Sequence, residues 1–219
     1  ELRCPVEIEF AVNMDVPYGE DKVFDMLQIR PIVDSPSNRS LDWDQVDTSG
    51  ALIYAESALG LGAIEGVTDV VYIRPDRFDT AHTQQMADEV NRLNTELRDQ
   101  KRSYVLVGPG RWGSSDPWLG VPVKWPHISE AKVIVECGLD NFRVEPSQGT
   151  HFFQNLTSFG VGYLTINPFQ GDGRFDIAQL DTQPALYESA YVRHVRFPEP
   201  LYIFVDGRKN RAIIRPADV

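Results

Sequence analysis

Apolar and polar positions alternate from almost the first residue. Residues 6–13 read V-E-I-E-F-A-V-N, a two-residue period that predicts a half-buried strand. A turn-rich stretch with Pro17, Gly19, Glu20 and Asp21 follows, and residues 22–33, K-V-F-D-M-L-Q-I-R-P-I-V, make a second strand-like run. Two such runs across a short loop predict an antiparallel hairpin. Pro31 has no amide hydrogen for a central ladder, so the second strand is expected to end or reach an edge near Arg30. Residues 34–47 are polar and turn-rich and read as a linker.

Past the linker the pattern predicts one mixed domain over residues 48–219. Strands are expected at 52–58, 69–74, 103–107, 132–136 and 162–166, then a closing pair at 201–205 and 211–214 turned by Asp206-Gly207. Between about residues 80 and 102 the period changes. Met86, Val90, Leu93 and Leu97 recur at three- and four-residue steps, which predicts a helix with Asp79 or Thr80 as its N-cap. A second helix is expected from His151 through Phe152, Phe153 and Leu156 towards Phe159, with Gly160 as its stop. The class is therefore α+β, a short hairpin followed by a mixed β/α domain.

Composition narrows the functions. With 219 residues, 42% hydrophobic and 24% charged, the chain has the make-up of a soluble globular protein. A net charge of -11 argues against nucleic acid as a partner, because phosphate backbones need clustered Lys and Arg. No apolar run is long enough for a bilayer, so no membrane partner is expected. Cys4 and Cys137 form neither a metal-ligand pair nor a disulfide framework, and read as reduced thiols in a cytoplasmic protein. His82, His127 and His194 have no partner at metal-ligand spacing and are expected to be structural or on the surface. Glu1 stands first and a strand pattern begins at once, as expected of a chain cut from a longer one.

The hairpin carries the first candidate chemistry. Alternate residues share a face, so Glu7 and Glu9 lie together on one strand, and Gln28 and Arg30 on the other. Carboxylates suit magnesium, which bridges to substrate phosphates, and a guanidinium matches a phosphate in bidentate fashion. The same face also fits a cross-strand ion pair worth under ~1 kcal/mol. A second candidate is residues 108–125, G-P-G-R-W-G-S-S-D-P-W-L-G-V-P-V-K-W. Its glycines, Ser114 and Ser115 offer amides and hydroxyls to an anion, Arg111 and Lys124 add charge, and Trp112, Trp118 and Trp125 can wall a pocket. It lacks the Lys-Ser or Lys-Thr ending of a P-loop, and it also fits a surface loop pinned by tryptophans.

V-E-I-E-F, a short loop and M-L-Q-I-R-P-I-V resemble the end of the ATP-grasp domain in the phosphoenolpyruvate synthase and pyruvate phosphate dikinase family. That family shows an aspartate-isoleucine-glutamate-aromatic run, then leucine-glutamine-any-arginine, often followed by proline. The resemblance implies that Glu9, with Glu7 where the family has aspartate, holds Mg2+, and that Gln28 and Arg30 address the phosphates of ATP. Arg30 would stand beside the terminal phosphate. The nucleotide-binding lobe would lie upstream as a partner, and residues 1–33 alone should bind ATP poorly.

In that family a swivelling phosphohistidine domain follows, with a glycine pair, a threonine, a small residue, the histidine and a helix leading to glycine-isoleucine-proline. S-Q-G-T-H-F-F-Q-N-L-T-S-F-G-V-G, residues 147–162, is similar to this signature. The strand beginning Tyr104-Val105, the segment Asp116-Pro117-Trp118, the strand led by Ala131 and the closing L-Y-I-F-V-D-G come in the family's order. The sequence departs in its single Gly149, in Phe152 and Phe153, and in Gly162 where proline is usual. The resemblance implies that His151 carries a phosphoryl group from ATP to pyruvate or a related acceptor. A helix N-terminus would suit that role, because its free amides attract an anion and lower the imidazole pKa. The rival expectation is a regulatory or docking module that lost the carrier role, or an anionic-metabolite module centred on Arg111.

Overall fold

The computed structural model describes residues 6–31, 41–140, 143–145, 156 and 160–217. It divides into two units, Glu1–Asn38 and Arg39–Val219.

The opening alternation becomes a hairpin. Strand β1 (Val6–Val12) pairs antiparallel with β2 (Phe24–Pro31), and Pro31 falls at the strand end, where its missing N–H costs nothing. The register sets Glu7 opposite Arg30 and Glu9 opposite Gln28, then slips so that Phe10 faces Met26. Leu27 is thus an extra residue, a β-bulge where the alternation breaks inside β2. It restores the facing, so Val6, Ile8, Phe10, Val12, Phe24, Met26 and Ile29 share one side while the polar residues share the other. Every one of those seven apolar residues is exposed, with Phe10 and Phe24 stacked at 4.9 Å.

The second unit runs β3 (Ile53–Ala55), β4 (Ser57–Leu59), β5 (Leu61–Ile64) and β6 (Asp69–Ile73), then helix α1 (Thr83–Asp99). Strands β7 (Tyr104–Pro109), β8 (Arg111–Trp112), β9 (Gly120–Val121), β10 (Ala131–Cys137) and β11 (Gly162–Ile166) follow. The chain then forms β12 (Arg174–Phe175), the short helix α2 (Ile177–Asp181), β13 (Ala185–Glu188), β14 (Val192–Arg196), β15 (Tyr202–Asp206) and β16 (Arg211–Arg215).

Seven strands form a central sheet in the order β13-β14-β6-β7-β10-β11-β4, parallel from β6 to β11 and antiparallel at both margins. Five more, β12-β3-β16-β15-β5, make an antiparallel sheet against one of its faces. The parallel strands are apolar on both sides, and their alternate residues divide between two cores. Val70, Tyr72, Val105, Val133 and Leu164 meet Ile53, Ile203 and Ile214 between the sheets. Val71, Ile73, Leu106 and Ile134 meet Met86, Val90, Leu93 and Leu97 of α1 on the other face. Each large side chain so buried is worth about 1.5–3 kcal/mol, which fixes the β/β/α layering. The N-cap of the segment is Asp79, which accepts from the Ala81 amide at 2.9 Å, though the first turn is 3₁₀ and α1 proper begins at Thr83.

Two expectations change. The run 52–58 is two strands, not one. β3 belongs to the antiparallel sheet and β4 to the central one, and the chain crosses between them at Glu56. The expected linker also ends earlier. Trp43 is buried on the outer face of the antiparallel sheet with Phe204 and Ile213, and its indole N–H donates to Asp206 at 3.1 Å.

Candidate functional site

In sheets with parallel strands, ligands gather at the carboxyl ends. Here that edge carries a row of residues in register: Gly108 on β7, Glu136 on β10, Thr165 on β11 and Ser57 on β4. Glu136 is fully buried. Its carboxylate accepts the Trp112 backbone N–H at 3.0 Å and the Tyr163 hydroxyl at 2.5 Å, and Thr165 donates to that hydroxyl oxygen at 3.4 Å.

The loop after β7 is built to cover this row. Trp112 packs against Gly108, where a Cβ would fall 2.3 Å from the indole, and its Nε1 donates to the Val135 carbonyl at 3.0 Å. The chain then returns so close that a Cβ at Gly120 would lie 1.9 Å from the Arg111 carbonyl, which lets β8 and β9 pair. Gly108 and Gly120 thus serve close approach of an indole and of a neighbouring strand.

The connection from β10 to β11 is gripped where it leaves this edge. Asn167, buried just after β11, accepts from the Val144 amide at 2.8 Å and donates to the Val144 carbonyl at 3.2 Å. Arg111 donates through Nε to the Glu145 carbonyl at 3.2 Å, and Arg143 bonds Gln170 and Asp172. Leu156, further along the connection, is buried in the cluster that holds Trp112 and Tyr163.

The candidate residues fall out as follows. His151, like the rest of its expected helix apart from Leu156, lies outside the described residues. For Glu7, Glu9 and Arg30 the structure describes the backbone, and the register brings all three and the exposed Gln28 onto one face. Arg111 is half-buried and tied to the β10–β11 connection. The three indoles do not wall a common pocket: Trp112 is in the core, Trp118 is 74% exposed, and Trp125 packs beside α1. Ser114 is used within its own turn, accepting from the Asp116 amide and donating to the Asp116 carbonyl. His82 pairs with Asp79 on the surface, His127 accepts from the Lys124 amide, and His194 is buried on Asp69 at 2.7 Å. All three have the structural or surface roles expected of them.

Sequence reasoning missed Glu136. Its signal was an acid closing a buried apolar run, V-I-V-E-C, where a solvated residue would have to turn away from the core. Beside it, burial pushes the Cys137 thiol up to about 12, so it is an inert core residue. Among the described residues no three His, Cys, Asp or Glu side chains gather as a metal site. No helix among the described residues is long and apolar enough to cross a membrane.

Comparison with protein-family models, with curated proteins and with solved structures returns no match.

Proposed function

We propose that the chain is a fragment of a cytoplasmic, ATP-dependent phosphotransferase resembling phosphoenolpyruvate synthase, with His151 as the carrier of the phosphoryl group in the parent protein. The observation that carries the reading is the register of the hairpin. Glu7 against Arg30 and Glu9 against Gln28 put two oxygen donors, an amide and a guanidinium on one face, which is the donor set for a magnesium-bound triphosphate. The opposite face is apolar and exposed, as suits a hairpin that completes a larger nucleotide domain.

In the second unit, the segment leading to His151 departs from the carboxyl edge of the parallel strands, beside the buried Glu136 and the half-buried Arg111. The expected strands at 103–107, 132–136 and 162–166 are adjacent and parallel there, and the closing hairpin turns at Asp206-Gly207. ATP and Mg2+ would supply the phosphoryl group and neutralise its charge. Glu9 and Glu7 would hold the metal, Gln28 and Arg30 the phosphates, and His151 would pass the group to pyruvate or a related acceptor. A small-molecule site in residues 108–125 has less support, because Trp112, Ser114 and Arg111 are engaged in packing, a turn and the neighbouring connection.

The test is to incubate the full-length protein with Mg2+ and ATP labelled in its terminal phosphates, then map acid-labile phosphate. Label on His151 that disappears in Arg30→Ala is the expected result. Label that avoids His151 overturns the carrier role.

A further inference from the structure

The opposite edge of the central sheet, where the parallel strands begin, holds a cleft of about 400 Å³. Its walls include Lys101, Arg102, Ser103 and Lys132, with Glu65 as the one carboxylate beside them. Three cations against one acid is the reverse of the whole chain, where 32 acids outnumber 21 bases.

Both lysines reach the cleft through departures from regular backbone. In the β10–β7 pairing Ala131 faces Tyr104 and Val133 faces Val105, so Lys132 is an inserted residue. Bulges are rare between parallel strands, and they re-aim a side chain. Lys132 is the single exposed position of an otherwise buried strand. Lys101 terminates α1 in the left-handed conformation, with φ of 55°. Its amide bonds the Arg98 carbonyl and the Arg102 amide bonds the Leu97 carbonyl, a helix ending whose left-handed residue is usually glycine. A lysine there carries backbone strain that glycine would relieve. Neither lysine has a carboxylate within salt-bridge distance among the described residues.

Arg102 is held from behind. Nε donates to Asp69 at 2.9 Å and Nη2 donates to the Thr68 hydroxyl, while Asp69 is shared with Arg196 and His194. One buried carboxylate therefore answers two guanidinium groups and leaves an excess of positive charge at this edge. The C-terminal dipole of α1 opposes an anion, but the Leu97 and Arg98 carbonyls are already occupied by the hydrogen bonds of the cap.

We infer that this cleft binds a small polyvalent oxyanion, of the phosphate or polycarboxylate kind, with Lys101, Arg102 and Lys132 as its charged contacts and the Ser103 hydroxyl as a donor. Lys132 and Glu136 lie four residue steps apart along β10, about 13 Å of strand, so this site stands independently of the phosphotransferase reading.

The test is a titration of the full chain with pyrophosphate, and separately with citrate, in magnesium-free buffer of about 50 mM ionic strength, followed by amide NMR and calorimetry. Saturable binding is expected, with shifts centred on Lys101, Ser103 and Lys132. Lys132→Ser and Lys101→Gly should each weaken it by about fivefold or more, as expected for loss of one charge-assisted contact. Lys101→Gly should meanwhile melt higher than the parent, which separates lost binding from lost fold. Lys22→Ser removes the same charge from the first unit and should change nothing. Non-saturating shifts, or an equal loss in Lys22→Ser, overturn the inference. Preference between the two probes assigns the ligand to phosphates or to carboxylates.

Discussion

At the residue scale, two acids decide how the second unit is built, and neither looks special in sequence. Glu136 closes an apolar run and Asp69 opens one, and both are fully buried. Burial alone would raise the Asp69 carboxyl. Hydrogen bonds from His194, Thr68, Arg102 and Arg196 outweigh it and hold the group well below its ordinary value of 3.8. A carboxyl depressed in the folded state contributes stability that is present above its unfolded value and lost as pH falls towards the folded one. Unfolding free energy measured in urea between about pH 6 and pH 3 should therefore drop once the pH passes below about 4. Asp69→Asn should be about 2–3 kcal/mol less stable at neutral pH, a value reduced from that of a deeply buried pair because Arg102 and Arg196 are 34% and 32% exposed. Its pH profile should also be flatter. A variant with the parent's slope below pH 4 would show that Asp69 is not the group responsible.

At the element scale, what was legible was what periodicity could carry. The strand at 162–166 and the helix built on Met86, Val90, Leu93 and Leu97 stand where the pattern put them. β14 was not among the expected strands, because V-R-H-V-R has no clean two-residue period and its place beside β6 rests on Asp69, 125 residues away, which accepts from His194. The crossing at Glu56 was missed for a related reason: a two-residue period says which side a residue faces, not which sheet its strand joins. The hairpin gives a sharper case. Met26-Leu27 interrupts the alternation between Phe24 and Arg30, and the bulge absorbs the interruption. Deleting Leu27 should therefore leave Glu9 opposite Gln28 and Phe10 opposite Met26 in an unbulged ladder. Inserting an alanine after Gln28 should throw Arg30 onto the apolar side. Cross-strand NMR contacts check both: Glu9–Gln28 should persist in the deletion, and Glu7–Arg30 should be lost in the insertion. Loss of the Glu9–Gln28 pairing in the deletion would mean the bulge itself sets the register.

At the scale of the molecule, the question is where the second unit begins. Polar residues from 34 to 47 read as a linker because composition cannot show that one large aromatic among them has a socket 160 residues away. Trp43 sits 6.2 Å from the Phe204 ring and 6.4 Å from Tyr54, only 7% exposed, and closes the outer face of the antiparallel sheet. Its N–H also satisfies Asp206, a buried acid whose other oxygen accepts from the Lys209 amide in the closing turn. The strap thus joins the start of the unit to its last hairpin and gives the five-stranded sheet a second apolar side to bury. Two truncations separate strap from linker. A chain of residues 39–219 retains all three apolar cores, and its unfolding free energy should match that of the parent's second unit within about 0.5 kcal/mol. A chain of residues 49–219 loses Trp43, exposes Phe204 and Ile213, and leaves Asp206 short of a donor, which together should cost about 3–5 kcal/mol. Equal stability of the two chains would return residues 41–47 to the status of a linker. A gap of the expected size would make the second unit a sandwich covered on both sides, by α1 on one and by the Trp43 strap on the other.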